Sequence, residues 1–207
     1  MKRILIAAMM AFPFMATAQN TWENNSQASS VKKEAKAAVN PDQKYLAGAV
    51  PVVNGKVTWK TTIQAPGKSA QQVYDIIGRQ LSLMAKEENQ FEQSRIVLAD
   101  TTTHQIVASF QEWLVFKSTA LVLDRTRLMY QIIADCKDGC ADITMNRIYY
   151  LYDEEREPQT FVAEEWITDK EGLNKKQNKL ARVSGKFRRK TIDRKDNIFE
   201  TLTNVLK

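Results

Sequence analysis

Residues 105–116 (QIVASFQEWLVF), 127–135 (RLMYQIIAD) and 141–152 (ADITMNRIYYLY) decide the fold of this chain. Each stretch is rich in β-branched and aromatic residues and is bounded by turn residues, which is typical of β-strands. A shorter stretch of the same kind, Arg95 to Ala99, precedes them. Because no helical segment separates these four stretches, the sequence predicts that they pair as antiparallel neighbours in a meander.

A strand and a helix precede the meander. Asn54-Gly55 is a turn signal, and the alternating residues 57–63 after it predict a strand. Ser69 and Gln72 then form a capping box, and apolar residues recur at helical spacing beyond them. This pattern predicts a first helix over residues 70–87.

Two more elements are predicted after the meander. Residues 161–168 are typical of a fifth strand in the series. A second helix follows, with Asp193 as its cap and an apolar stripe from Ile198 to Leu206. Two helices with one apolar face each can bury those faces only against one side of a sheet. The sequence therefore predicts a two-layer α+β domain: a curved antiparallel sheet of five or six strands, two helices on one face, and β-α-β4-α order.

Three segments carry a resemblance to a known family: the strand-to-helix start 63–69, the strand 105–110, and the hairpin 130–146 that turns at Lys137-Asp138-Gly139. They resemble a family of exported proteins of uncharacterised function from Gram-negative gut bacteria, which has a TATA-binding-protein-like (TBP-like) fold. The resemblance runs over about residues 50–152 and implies the same order of elements. It implies no activity, because the family has none assigned. The fold name alone is no reason to expect nucleic-acid binding.

The first eighteen residues predict export. Lys2 and Arg3 are followed by an apolar run over residues 4–15 and by the small-residue cleavage site Ala16-Thr17-Ala18. The apolar run is too short to cross about 30 Å of hydrocarbon. We therefore expect a signal peptide over residues 1–18, cleavage near Ala18, and a periplasmic or secreted protein that does not span a membrane and meets no intracellular nucleic acid.

The remaining chain divides by composition. Residues 19–45 are mostly Asn, Ser, Gln, Ala and Lys, with Trp22 as an early aromatic residue and no apolar periodicity, which predicts a flexible leader. Residues 46–207 have the length of a single domain of ordinary size.

The sequence contains no catalytic or metal-binding motif that we recognise. Two cysteines and one histidine are too few for a His/Cys metal site, and we expect no cofactor. His104 follows a run of three threonines between two strands and is interpreted as a solvated turn residue. No G-x-S-x-G or H-E-x-x-H pattern indicates a hydrolase, so the sequence leans away from an enzyme.

Glu112 lies in the apolar row of its predicted strand, where an unpaired carboxylate is costly. The preferred interpretation is a β-bulge near Gln111 that turns Glu112 outward. The alternative is a polar group inside a ligand pocket.

Other charged residues of the strands have plainer interpretations. Arg125 and Arg127 share a strand face, either as an anion clamp or as surface charge. Glu164 and Glu165 are adjacent on a predicted strand, so their side chains point to opposite faces and cannot form an acid/base pair.

Cys136 and Cys140 flank the hairpin turn, and their presence departs from the family pattern. An oxidising compartment favours a disulfide between them. The pairing depends on register: a three-residue loop places both on one face, whereas a two-residue Asp138-Gly139 loop places them on opposite faces. We predict the three-residue loop and the disulfide.

Residues 169–195 hold eleven Lys and Arg against three acids, a net charge of +8. This segment is interpreted either as a solvated connector or as a docking surface for an anionic envelope polymer, with Arg188 and Arg189 as the main contacts. Phe187, between Lys186 and Arg188, would add a stacking point.

These observations favour a non-catalytic binding or accessory protein of the cell envelope. The first alternative is a carrier of a small apolar ligand in a cavity between sheet and helix, lined by residues such as Trp59, Phe110, Trp113 and Tyr130. Docking to an anionic polymer through residues 169–195 is the second alternative, and a hydrolase ranks last.

Overall fold

Eight β-strands form the framework of the part of the chain that the structure describes. The structure, a computed structural model, describes Asn20, Trp22 and residues 40–207, so the predicted signal peptide lies outside the described residues. The strands are β1 Val52–Val53, β2 Lys56–Val57, β3 Trp59–Gln64, β4 Arg95–Asp100, β5 Gln105–Ser118, β6 Leu123–Lys137, β7 Cys140–Tyr152 and β8 Gln159–Val162. Strands β1 and β2 form a separate hairpin, whose turn residues Asn54 and Gly55 both have positive φ.

The other six strands form one antiparallel sheet. Their order is β3-β7-β6-β5-β4, and β8 pairs with the second half of β7. The predicted meander from β4 to β7 is confirmed, with every consecutive pair antiparallel. Register shifts interrupt each of these three pairings, and such irregularities bend a sheet.

Two long helices, α1 Ala70–Met84 and α4 Gly185–Leu206, pack on one face of the sheet, and two short helices, α2 Ala163–Trp166 and α3 Asp169–Gly172, lie between β8 and α4. The predicted capping box is present: Gln72 N donates to Ser69 Oγ, and Ser69 N donates to Gln72 Oε1. A 3₁₀ helix, Gln43–Tyr45, precedes β1. The two-layer α+β class is thus confirmed.

The core lies between the helices and the inward residues of the strands. Alternate residues of β5, β6 and β7 are buried, as the period of a strand requires. They contact the apolar faces of α1 and α4 in one hydrophobic cluster. No helix in the described part of the chain has the length and apolar character needed to span a bilayer.

The second helix is longer than predicted. It begins at Gly185 after Ser184, so Asp193 lies inside it and does not cap it. Asp193 instead accepts hydrogen bonds from Tyr45 Oη at 2.7 Å and from Lys44 Nζ at 2.6 Å. Basic residues interrupt the apolar stripe in these first turns, so apolar periodicity does not predict them.

The predicted fifth strand of the series is present as β8, but the predicted bounds 161–168 are wrong. Strand β8 ends at Val162, and Glu164 and Glu165 lie in the short helix α2. Phe161 stacks on Trp166 with ring centroids 4.0 Å apart. An aromatic pair five residues apart therefore packs around a helical turn and does not continue a strand.

The predicted disulfide is also wrong, because the turn has two residues. Lys137 pairs with Cys140, and Cys136 with Ala141, so Asp138 and Gly139 form the loop. Successive residues point to opposite faces, and both cysteines are free: Cys136 is buried and Cys140 is partly exposed. Gly139, at φ +76°, takes the left-handed conformation that the short loop requires.

Contacts with the start of α1 select this loop. Gly139 N donates to Lys68 O at 2.9 Å, and its own carbonyl accepts from Ala65 N at 2.7 Å. The Asp138 carboxylate accepts from Ala70 N at 2.7 Å. A three-residue loop would displace these groups, so packing on α1 decides the register.

Several residues of the predicted leader 19–45 are held by the domain, among them Tyr45 in the 3₁₀ helix and two residues near the start of the leader. Asn20 and Trp22 are both buried, and the Asn20 side chain is bonded to the backbone of Val115. For these residues the expectation of a flexible leader is therefore not met.

Candidate functional site

A cavity of about 470 Å³ lies where β6 extends beyond the end of β7. The tip of the β5–β6 hairpin forms one wall, with Val122 and Leu123, and the loop that follows β7 forms the other. Its volume is in the range of small-molecule sites, about 300–1,000 Å³. The lining includes two aromatic residues and six charged ones: Trp113, Tyr152, Asp124, Asp153, Glu154, Glu155, Arg125 and Arg156.

Arg125 and Arg127 lie on one strand face, and each is held between an aromatic ring and a carboxylate. The Arg125 guanidinium lies 3.7 Å from the ring centroid of Trp113 and donates to Glu155 at 3.1 Å. Arg127 lies 3.9 Å from the ring of Phe91 and donates to both carboxylate oxygens of Glu154. Because both cations are already paired, they form no open anion clamp.

Helix α4 supports two residues of the cavity lining, Asp124 and Tyr152, through Lys186. Lys186 Nζ donates to Asp124 at 2.7 Å and to Tyr152 Oη at 3.2 Å, and Tyr152 Oη donates to Asp124 at 3.0 Å. The ammonium group also lies 4.8 Å from the ring centroid of Tyr152. These contacts hold Tyr152 in place and neutralise Asp124.

Two charged groups of the cavity are left for a ligand. Asp153 and Arg156 are exposed, and within residues 40–207 neither side chain has a hydrogen-bond or ion-pair partner. Asp153 has φ +52°, and its carbonyl accepts from Arg156 N at 3.1 Å. A carboxylate and a guanidinium three residues apart on one turn therefore face a partly apolar cavity, an arrangement suited to a ligand that carries both charges.

Glu112 is fully buried, so the predicted bulge that would turn it outward is wrong. Pairing between β5 and β6 is regular from Gln105 to Val115, which keeps Glu112 in the inward row. Tyr130 Oη and Arg194 Nε donate to Oε1 at 2.7 and 2.8 Å, and Asn89 Nδ2 donates to Oε2 at 2.7 Å. Three donors satisfy the carboxylate, which favours a structural role over ligand binding.

The electrostatics around Glu112 follow from burial. Burial, and then the charge of Glu112, raise the pKa of Tyr130 well above its ordinary value. Burial lowers the pKa of Arg194, but Glu112, Tyr130 and Glu87 together raise it, so the guanidinium stays charged. Burial raises the pKa of Glu87, although Arg194 opposes this effect.

Arg188 is fully buried, so its prediction as a docking contact is wrong. Its guanidinium donates to the carbonyls of Tyr45, Leu46 and Ile167 and to Asp169, all at 2.6–2.7 Å. Burial lowers the pKa of Arg188, and Asp169 opposes the effect. Arginine is rarely buried, so the sequence pattern predicts an exposed Arg188 and does not indicate its burial.

The neighbours of Arg188 offer little more to a partner. Arg189 is paired with Asp42 at 2.7 Å, and its side chain is 38% exposed. Phe187 is buried against Tyr150, Phe116 and Trp166 and is no stacking point. His104, in its predicted turn, is half-buried beside Gln71 and Tyr74.

A profile of the family described as a domain of unknown function (DUF4468) with TBP-like fold matches residues 59–151. A search of the curated proteins finds no match.

Two solved structures are similar to this chain. A crystal structure of a DUF4468 family protein from Bacteroides ovatus ATCC 8483 is 41% identical, with a TM-score of 0.73, and the match covers 84% of this chain and 96% of that chain. A TBP-like protein from Parabacteroides distasonis ATCC 8503 is 18% identical, with a TM-score of 0.61 and coverage of 76% and 96%. The first similarity shows the family, and the second shows the fold alone.

Proposed function

We propose that this chain, which belongs to the DUF4468 family of domains of unknown function with a TBP-like fold, is an exported, non-catalytic binding protein of the bacterial cell envelope. The observation that carries the binding role is the cavity between the β5–β6 hairpin and the loop after β7. The charge and cleavage pattern of residues 1–18 supports export.

The ligand is a small zwitterion such as an amino acid or a short peptide. Asp153 offers an unpaired carboxylate to its ammonium group and Arg156 an unpaired guanidinium to its carboxylate. Val122 and Leu123, about half exposed, offer apolar contact to its side chain. A sugar fits less well, because Arg125 already covers one face of Trp113.

Binding is tested by NMR titration of the full chain with free amino acids and dipeptides. We expect at least one probe to shift the indole signal of Trp113 and the amides of residues 122–124 and 153–156 in a saturable manner. Asp153→Asn and Arg156→Gln should each weaken that probe about tenfold, the effect of one lost charge-assisted hydrogen bond. Tyr149→Leu, an exposed aromatic outside the cavity, is the matched control and should change nothing. Shifts confined to another surface, or no shifts with any probe, would overturn the proposal.

Export is tested separately by mass spectrometry of the protein from a Gram-negative host. We expect a chain that begins at Gln19 in the periplasm or medium. An intact amino terminus in the cytoplasm would contradict export but would leave the binding result unaffected.

The apolar-carrier alternative has less support. Phe110 stacks on Tyr130 with centroids 5.2 Å apart, and both are buried in the core. Trp59 is buried with its indole N–H bonded to Ala49 O. Trp113 lies on the other face of the sheet from Phe110, so these four rings do not enclose one cavity.

A specific observation favours docking to an anionic polymer as a second function, on a narrower surface than residues 169–195. The loop 174–182 carries four exposed cations, Lys175, Lys176, Lys179 and Arg182, and no acid. None of the four has a salt bridge in residues 40–207. Asn174 holds the loop through hydrogen bonds with residues 177–179.

This second function is tested by retention on heparin or lipopolysaccharide from low to physiological salt. Alanine at the four loop cations should reduce retention steeply, because such binding is electrostatic. The matched control removes equal charge from exposed lysines elsewhere: Lys56, Lys60, Lys86 and Lys117. Equal loss in both variants would indicate a general charge effect and refute the loop as a docking surface.

A further inference from the structure

Strand β5 has an open edge beyond the end of β4. Strand β4 pairs with β5 only as far as Ser109, so no strand among the described residues continues this pairing along the later part of β5. The segment before β4 covers part of the edge: Phe91 N donates to Gln111 O at 2.8 Å, and Trp113 N donates to Asn89 O at 3.0 Å. The next residue that faces this edge is Val115.

The side-chain amide of Asn20 occupies the edge at Val115. Asn20 Nδ2 donates to Val115 O at 3.1 Å, and Val115 N donates to Asn20 Oδ1 at 2.9 Å. Both backbone hydrogen-bonding groups of one residue, Val115, are thus satisfied by one side-chain amide, as a neighbouring strand would satisfy them. Asn20 is 1% exposed, so water does not compete for these bonds.

Trp22 provides a second anchor beside the first. Its side chain belongs to the hydrophobic core cluster, and its ring centroid lies 5.6 Å from the Arg194 guanidinium. The ring thereby covers a cation that is itself fully buried. A tryptophan adds large apolar area and a cation–π contact at such a place.

We propose that the open edge of β5 at Val115 and the face of α4 that carries Arg194 form a peptide-binding groove that recognises an Asn-x-Trp sequence, and that the Asn20 and Trp22 side chains of the same chain occupy it. The Asn side-chain amide hydrogen-bonds to the backbone of Val115 in β5. The Trp indole packs against Arg194 of α4. The groove is distinct from the zwitterion cavity and does not depend on it.

Hydrogen exchange of the Val115 amide in the full chain tests the groove. Asn20→Ala should accelerate exchange at Val115 about tenfold, because the amide loses its acceptor. Exchange at Ile143 in β7 reports on the global fold and should stay unchanged. Asn25→Ala is the matched control, the same substitution in the same leader, and should leave Val115 protected.

Peptide rescue tests recognition. The peptide Asn-Thr-Trp-Glu-Asn-Asn, the sequence of residues 20–25, should restore Val115 protection in the Asn20→Ala variant in a saturable manner, whereas a scrambled peptide should not. Equal exchange in the wild-type chain and the Asn20→Ala variant would overturn the proposal. So would equal rescue by both peptides. If protection of the Val115 amide rises with protein concentration and the protein is a dimer, the groove binds the leader of a second copy, and the proposed occupant from the same chain is wrong.

Discussion

Glu112 and Arg194 form an ion pair in which both side chains are fully buried. Glu112 lies in β5 and Arg194 in α4, far apart in sequence. The sequence around either residue therefore does not indicate its partner. Three donors, from Asn89, Tyr130 and Arg194, satisfy the carboxylate, and a buried charge is tolerated when it is paired and hydrogen-bonded in this way.

Removing one member of this pair should be costly. Arg194→Met leaves Glu112 as an unpaired buried carboxylate, and we expect a loss of about 3–5 kcal/mol in the free energy of unfolding, measured in urea. The double variant Glu112→Leu with Arg194→Met should recover most of it. Lys170→Met is the control: the Lys170 side chain, paired with Glu171, is 89% exposed, and its loss should cost less than about 1 kcal/mol. A single variant as stable as this control would contradict the structural role.

The two cysteines should react as separate thiols. Burial, and then the charge of Asp135, raise the pKa of Cys136 from 9.0 to about 12, while Cys140 is partly exposed. At pH 8, without reductant, iodoacetamide should alkylate Cys140 first and Cys136 only in urea, as mass spectrometry will show. If neither cysteine of the exported protein is alkylated before reduction, the two form a disulfide and this prediction is wrong.

The same thiol predicts a pH effect on stability. A buried group whose pKa is raised favours the neutral form, so its contribution is complete below the unfolded pKa of about 9 and is lost as pH rises toward 12. We expect the urea midpoint to fall over this range less in Cys136→Ala than in wild type. Equal slopes would show that Cys136 does not ionise at a cost to the fold.

At the scale of elements, α1 is fixed at its start by local and distant groups. Ser69 and Gln72 cap it reciprocally, and Asp138 of the β6–β7 turn accepts from Ala70 N. The first turn of the helix therefore joins the end of the hairpin to the helix layer.

The capping box should contribute measurably. Ser69→Ala should lower the free energy of unfolding by about 1 kcal/mol, because one helical N–H loses its acceptor. Gln72→Ala removes the reciprocal bond, and the double variant should cost less than the sum of the single variants. Additive losses would show that the two bonds act independently.

At the scale of the whole molecule, Arg188 joins three segments that are distant in sequence. Its donors reach the carbonyls of Tyr45 and Leu46 before β1, the carbonyl of Ile167 after α2, and Asp169 in α3. Gly172 is close as well, because a Cβ there would lie 2.8 Å from Arg188 Cδ. One buried side chain thus ties the two ends of the domain together.

Lysine cannot reproduce this fork of donors. Arg188→Lys should cost about 3 kcal/mol in urea unfolding and should raise hydrogen exchange in residues 43–46 and 163–173 together. Arg189→Lys, at a half-exposed pair with Asp42, should stay within about 1 kcal/mol of wild type. Faster exchange in only one of the two segments would contradict the joint role.

Patterns in the sequence predict the strands of the antiparallel meander, the strand before it, the first helix and its cap. Each of these depends on periods of two or 3.6 residues or on contacts within four residues, and such patterns are written in order along the chain. The sequence also identified Glu112 as an anomaly in an apolar row, although not its burial.

The environments of Glu112, Arg188 and Arg194, the loop between the cysteines and the cavity arise from tertiary contacts that no local pattern predicts. Glu112 finds its cation in α4, the Asp138-Gly139 turn is selected by the start of α1, and the cavity is formed by a hairpin tip, a strand end and a loop. These arrangements depend on pairing between segments far apart in sequence. A charged residue has the same identity in the sequence whether its side chain is solvated or buried beside a partner. Only the folded chain distinguishes these two environments.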